Sequence, residues 1–100
     1  MHQVLTETQN TSDIFYLRGG DQSFNSPPGL PGMGVIMLTD HAGGTWTLRF
    51  RNPDGDWWDT DITFTGDGIK DFRSAKTIPW RLEGGTAGAK AWANAGWKTE

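Results

Sequence analysis

The chain has no cysteine. Disulfides cannot hold it together, although small secreted domains usually rely on them. Their absence points to a reducing compartment, or to assembly inside a cell. A long apolar run is also missing. The longest is Val35-Ile36-Met37-Leu38, against the ~20 residues that cross a bilayer as a helix. The stretch Met1-His2-Gln3-Val4-Leu5-Thr6-Glu7 has neither the charged opening nor the apolar centre of a secretory signal. No basic stripe exists either. Nine basic and twelve acidic residues are scattered along the chain, for a net charge of −3. Nucleic-acid binders gain affinity by neutralising phosphates, so neither nucleic acid nor membrane is an expected partner. The expected location is the cytoplasm, or a larger particle assembled there.

What is present is aromatic and rich in turns. A length of 100 residues fits one domain. A chain of this size buries roughly 60 to 70 % of the surface its unfolded form exposes, so its core is modest. Six tryptophans and five phenylalanines compensate, because each large aromatic buries about 150 to 250 Å². Fourteen glycines and five prolines cut the sequence into short pieces.

Within those pieces the periodicity is two, the signature of strands. Trp46, Leu48 and Phe50 alternate with Thr45, Thr47, Arg49 and Arg51. Trp58, Ile62 and Phe64 share a face with Thr60, and Trp57, Asp59, Asp61 and Thr63 take the other. Between the two runs lies Asn52-Pro53-Asp54-Gly55-Asp56, a turn in which proline fixes φ and Asp-Gly tolerates positive φ. An antiparallel hairpin follows. Met33 to Thr39 reads as a buried strand before the turn Asp40-His41-Ala42-Gly43-Gly44, so residues 33–65 are expected as a three-stranded meander. Asp13 to Arg18 and Ile78 to Glu83 are further strands, with Pro79 marking an edge or a strand start. Residues 3–8 favour a strand, and 69–74 are ambiguous. In Thr86 to Trp97, alanines at every second position give a strand with one small-residue face. The expected fold is all-β, a small antiparallel β-sandwich or barrel of about seven strands. Residues 1–13 are expected as an N-terminal arm before a single domain spanning 14–100, and the Pro/Gly-rich loop Gly19 to Gly32 as a second segment able to reach a neighbour.

Catalytic chemistry finds little purchase. Nucleophilic catalysis needs a nucleophile beside a base, and the only histidines are His2, near the start, and His41, in a glycine-rich turn. Asp59 and Asp61 could make a carboxylate pair of the glycosidase kind, but so short a chain hardly builds a deep cleft beside a core. A solvated strand face is the plainer reading. Asn52-Pro53-Asp54-Gly55-Asp56 is rich in oxygen but lacks the calcium-loop pattern and its distal glutamate. Gly84-Gly85-Thr86-Ala87-Gly88 lacks the Lys-[Ser/Thr] of a phosphate-binding loop. Asn10-Thr11-Ser12 fits a glycosylation acceptor only by accident, with no secretory signal before it. No catalytic residue, metal or cofactor is expected.

The tryptophans carry more information. Trp46, Trp58 and Trp80 fall on inferred core faces. Trp57 falls on the opposite face, beside Asp59 and across the turn from Arg49 and Arg51. A tryptophan on an outer face stacks on a sugar or anchors a protein interface, unless a second layer covers it. The expected partner-binding residues are Trp57, Arg49 and Arg51, Trp97 near the C-terminal end, and Pro27, Pro28 and Leu30 of the long loop.

The order Gly44-Thr45-Trp46-Thr47-Leu48, Asp54-Gly55-Asp56-Trp57, Thr63-Phe64-Thr65 and Trp80-Arg81-Leu82-Glu83-Gly84-Gly85-Thr86-Ala87-Gly88-Ala89 resembles small β-sandwich virion proteins of tailed bacteriophages, found as head decoration or tail components. About half the chain carries the resemblance. It implies a structural role without enzyme activity, as a capsid decoration (cement) protein or a tail component. It also implies a homo-oligomer, a major capsid protein or other virion protein as partner, and residence on the virion after assembly in the host cytoplasm. Two rival expectations stand beside it. One is a carbohydrate-binding or host-surface-binding module using Trp57 and Trp97. The other is a small hydrolase using the aspartates.

Overall fold

Alternating apolar residues become strands because a pleated backbone sends successive side chains to opposite faces. The computed structural model describes residues 2–16, 31–75 and 78–94. They form seven strands: β1 His2–Leu5, β2 Pro31–Thr39, β3 Gly44–Arg51, β4 Trp57–Phe64, β5 Gly68–Ala75, β6 Trp80–Gly85 and β7 Lys90–Ala93. No helix occurs among the described residues. All pairings named here are antiparallel, in two sheets ordered β1-β7-β2-β5 and β4-β3-β6. The protein is a small all-β sandwich.

The two inner faces supply the core. Val4, Leu5, Ile36, Leu38, Phe72, Ala91 and Ala93 come from the four-stranded sheet, and Trp46, Leu48, Phe64, Trp80 and Leu82 from the three-stranded one. The alternation in β3 is obeyed: Trp46 and Leu48 are wholly buried, and Phe50 packs against the same cluster. The strand expected over Thr86 to Trp97 is shortened to β7, with residues 95–97 outside the described residues, and its small-residue face is present. Ala91 and Ala93 are fully buried and lie in register with Leu38 and Ile36, so small and large side chains sit side by side.

Trp46 sets a tight limit on its neighbours. A β-carbon on Gly85 would sit 2.1 Å from its Nε1 atom, and Gly84 before it adopts φ 104°. The pair of glycines lets the indole lie directly against the backbone at the end of β6. Gly34 makes the same allowance for Phe72, whose Cζ would lie 2.5 Å from an added β-carbon.

The hairpin β3–β4 forms as expected, with Arg51 opposite Trp57 and Phe50 opposite Trp58. Asn52 caps its turn. Its Oδ1 accepts the amides of Asp54 and Asp56 at 2.9 and 3.0 Å, and Gly55 takes φ 94°. Pro79 stands immediately before β6, the strand start that proline allows.

Three expectations change. The meander over 33–65 is not formed, because β2 and β3 belong to different sheets and the turn at Asp40 to Gly43 carries the chain across the sandwich. Local alternation fixes faces but not neighbours. The stretch expected as an arm belongs to the domain. β1 pairs with β7, and Val4 and Leu5 are 4 % and 0 % exposed. Asp13 N–H then bonds Val4 O at 2.9 Å, while Ser12 and Phe15 N–H bond Leu82 O and Trp80 O. Finally, the strand expected over 13–18 is reduced to single bridges at Thr11 and Phe15 along β6, with Leu17 and Arg18 outside the described residues.

Gly85→Ala should lower the unfolding free energy by about 1 to 3 kcal/mol, the usual cost of overpacking a filled core. Thermal or urea denaturation measures it. A variant as stable as the parent would show that Trp46 is free to shift.

Candidate functional site

The outward positions of β3 fall between two strands, so they gather side chains from three segments of sequence. Arg51 pairs with Trp57; Arg49 pairs with Asp59 on one side and Arg81 on the other; Thr47 pairs with Glu83. Residues directly opposite across a ladder point to the same face. The outer face of the three-stranded sheet therefore carries Arg49, Arg51, Trp57, Asp59, Arg81 and Glu83 together.

Arg49 is the hub. Its Nε lies 2.6 Å from Asp59 Oδ1, its Nη1 donates to Glu83 Oε2, and its Nη2 donates to Trp57 O at 2.8 Å. Arg81 Nη2 reaches the same Glu83 oxygen at 3.3 Å. The hydrogen bond from Arg49 to Glu83 raises the guanidinium's already high proton affinity, against the opposing pull of partial burial. Partial burial works to raise the Glu83 carboxyl, but the Arg49 hydrogen bond and the charges of Arg81 and Arg49 outweigh it and hold the group below the usual glutamate value. Above this frame the Trp57 ring is covered by two guanidinium groups, Arg81 at 4.1 Å and Arg51 at 5.6 Å from its centre.

The exposure of the two tryptophans of β4 does not follow from the direction in which each faces. Trp57 does face outward, yet it is only partly exposed because arginine stems and guanidiniums lie over it. Trp58 faces inward beside Phe50, with ring centres 6.3 Å apart, but is 57 % exposed. β4 is an end strand of its sheet, so its inward side chains have a neighbouring strand on one side only. Trp58 begins an aromatic row that continues through Phe50 and Trp80 to Phe72, the latter two centres 4.8 Å apart. Beside this row a shallow cleft of about 340 Å³ opens between Tyr16, Phe50, Arg51, Asn52, Ile78 and Pro79.

Of the residues expected to meet a partner, Arg49, Arg51 and Trp57 are brought together. Trp97, Pro27, Pro28 and Leu30 lie outside the described residues. Arg81 and Glu83 complete the surface and were not singled out. Their alternation with Trp80 and Leu82 marked them as outward-facing, but nothing in the sequence placed β6 beside β3. Asp59 is committed to Arg49 rather than to a carboxylate pair with Asp61. The Asn52 oxygen is committed to two turn amides. His41 serves its turn: its Nε2 lies 2.9 Å from Gly44 O, and its N–H bonds Asp67 Oδ1 at 2.9 Å. Among the described residues no three His, Asp or Glu side chains gather to hold a metal ion.

A carboxyl whose folded-state proton affinity is lowered adds stability above the ordinary glutamate range and loses that increment as pH falls through its folded-state value. Glu83→Gln should cost about 1 kcal/mol near neutral pH. It should also flatten the decline in melting temperature from about pH 4.5 downward. Parallel acid profiles for parent and variant would show that Glu83 contributes nothing to the pH dependence.

No family model, curated protein or solved structure matches this chain.

Proposed function

We propose that this protein is a non-catalytic binding component that attaches to a larger protein assembly through the outer face of its three-stranded sheet. The observation that supports this reading is Trp57 held under Arg81 and Arg51 on a frame of ion pairs. Tryptophan and arginine are the residue types that most often dominate binding energy at interfaces. Here the backbone ladder and the Arg49 contacts fix them beforehand, so little side-chain freedom remains to be lost on docking. The resemblance to tailed-phage virion proteins names the assembly: the major capsid protein of the head shell, bound as a decoration protein, with a tail protein as the alternative partner. The protein then resides on the virion, as a homo-oligomer, and carries out no reaction.

Purified protein mixed with heads that lack it should co-sediment with them. Trp57→Ala should weaken this binding about 30-fold, ~2 kcal/mol, while the melting temperature stays near that of the parent. Failure to bind heads or tails would overturn the reading.

A second reading, recognition of a host-surface sugar, draws on a different observation. Trp57 is a poor stacking platform, because a guanidinium already lies 4.1 Å over its ring. Trp58, exposed beside Phe50 and the Tyr16 cleft, is the better one. Oligosaccharides that shift tryptophan emission in the parent but not in Trp58→Ala would favour this reading.

A further inference from the structure

An unpaired strand edge is a row of free backbone donors and acceptors, and proteins normally blunt such edges. Three of the four sheet edges here are blunted. The β6 edge is occupied by residues 11–15, through Ser12 N–H to Leu82 O and the mutual bonds of Phe15 and Trp80. β1 has four residues and accepts the Asp13 amide on Val4 O. The ladder of β4 with β3 slips between Thr47 and Arg49, where Thr60 Oγ1 bonds Leu48 O, and β4 carries two acids, Asp59 and Asp61. β5 differs. It is the end strand of its sheet, has eight residues, and pairs with β2 through eight successive positions without a slip. No described strand lies on its other side.

The charges on β5 say what that edge fits. Asp71 and Arg73 stand two positions apart on the sheet's outer face, opposite Val35 and Met33 of β2. Both are exposed, and neither forms an ion pair with a described residue. Scattered edge charges of one sign would repel a second copy. This pair is self-complementary.

We propose that β5 pairs antiparallel with β5 of a second copy, about a two-fold axis midway between the two Phe72 residues. An axis normal to a continuous sheet relates like faces. Directly opposed residues must also share a face, so one residue has to face its own copy across the axis. At Lys70, Asp71 or Arg73 it would set like charges opposite one another. At Phe72 it sets Asp71 opposite Arg73 of the second copy, and Arg73 opposite Asp71 of the second copy. The interface is isologous, as a closed dimer requires. The sandwich then shares an eight-stranded sheet ordered β1-β7-β2-β5-β5-β2-β7-β1. An apolar row on the outer face, Trp92 beside Met37 and Met37 beside Ile69 in direct register, runs to this edge. Ile69, 61 % exposed, then lies against a neighbouring strand instead of at an open margin.

The pairing is read on the isolated protein, so it stands or falls separately from attachment to any shell. Native mass spectrometry and sedimentation should give twice the 11.0 kDa of one chain. Asp71→Arg and Arg73→Asp should each weaken the dimer about tenfold or more, since two attractive pairs become repulsive. The double variant D71R/R73D restores opposite charges and should dimerise like the parent. Mixing the two single variants should give a heterodimer that neither forms with itself. Circular dichroism of each variant reports that the fold is intact. A parent that stays monomeric at its highest soluble concentration would overturn the proposal. So would single variants that dimerise as tightly as the parent, or a mixture that yields no heterodimer.

Discussion

The sandwich depends on Trp46 lying between its sheets with no room to spare. The chain has no disulfide to limit its unfolded state, so the core must supply cohesion by itself. Trp46 is the largest wholly buried side chain among the described residues, and the backbone at Gly85 sits where a β-carbon would collide with it. Close packing of this kind holds one geometry and resists its neighbours. Because β6 is drawn against Trp46 of β3, the order β4-β3-β6 is favoured, and everything on the outer face of that sheet inherits its position from this contact.

β3 thereby does two jobs with one alternation. Its inward residues, Trp46, Leu48 and Phe50, build the core, and its outward residues, Arg49 and Arg51, organise the surface. The ion pairs of Arg49 are neither isolated nor fully solvated, since its side chain is 27 % exposed and that of Glu83 is 21 %. A surface pair contributes little alone. A shared network that also anchors a tryptophan contributes rigidity, which is what a docking face needs.

How far the sequence foretold this differs by level. Strand positions were legible because apolar residues recur at every second place, and Trp46, Leu48, Trp80 and Leu82 are buried as that pattern requires. The hairpin was legible because Asn52 to Asp56 contains its own turn chemistry. Strand neighbours were not. Which strands lie side by side is decided by long-range packing, so β2 left the expected meander and Arg81 and Glu83 arrived beside Arg49 unannounced. Exposure was legible only as facing. Trp58 points to the inner face yet is exposed, and Trp57 points away yet is covered by arginines. Alternation reports direction, and burial depends on what stands in that direction.

The pairing of β1 with β7 has a consequence for the order of folding. His2 and Gln3 lie opposite Ala93 and Trp92, so two segments far apart in sequence have to meet before this ladder can form. Such a contact closes a long loop, and its entropic cost slows folding. Until β7 is in place, Val4 and Leu5 have no partner strand to rest on. The domain completes itself in a late closure of this ladder rather than piece by piece.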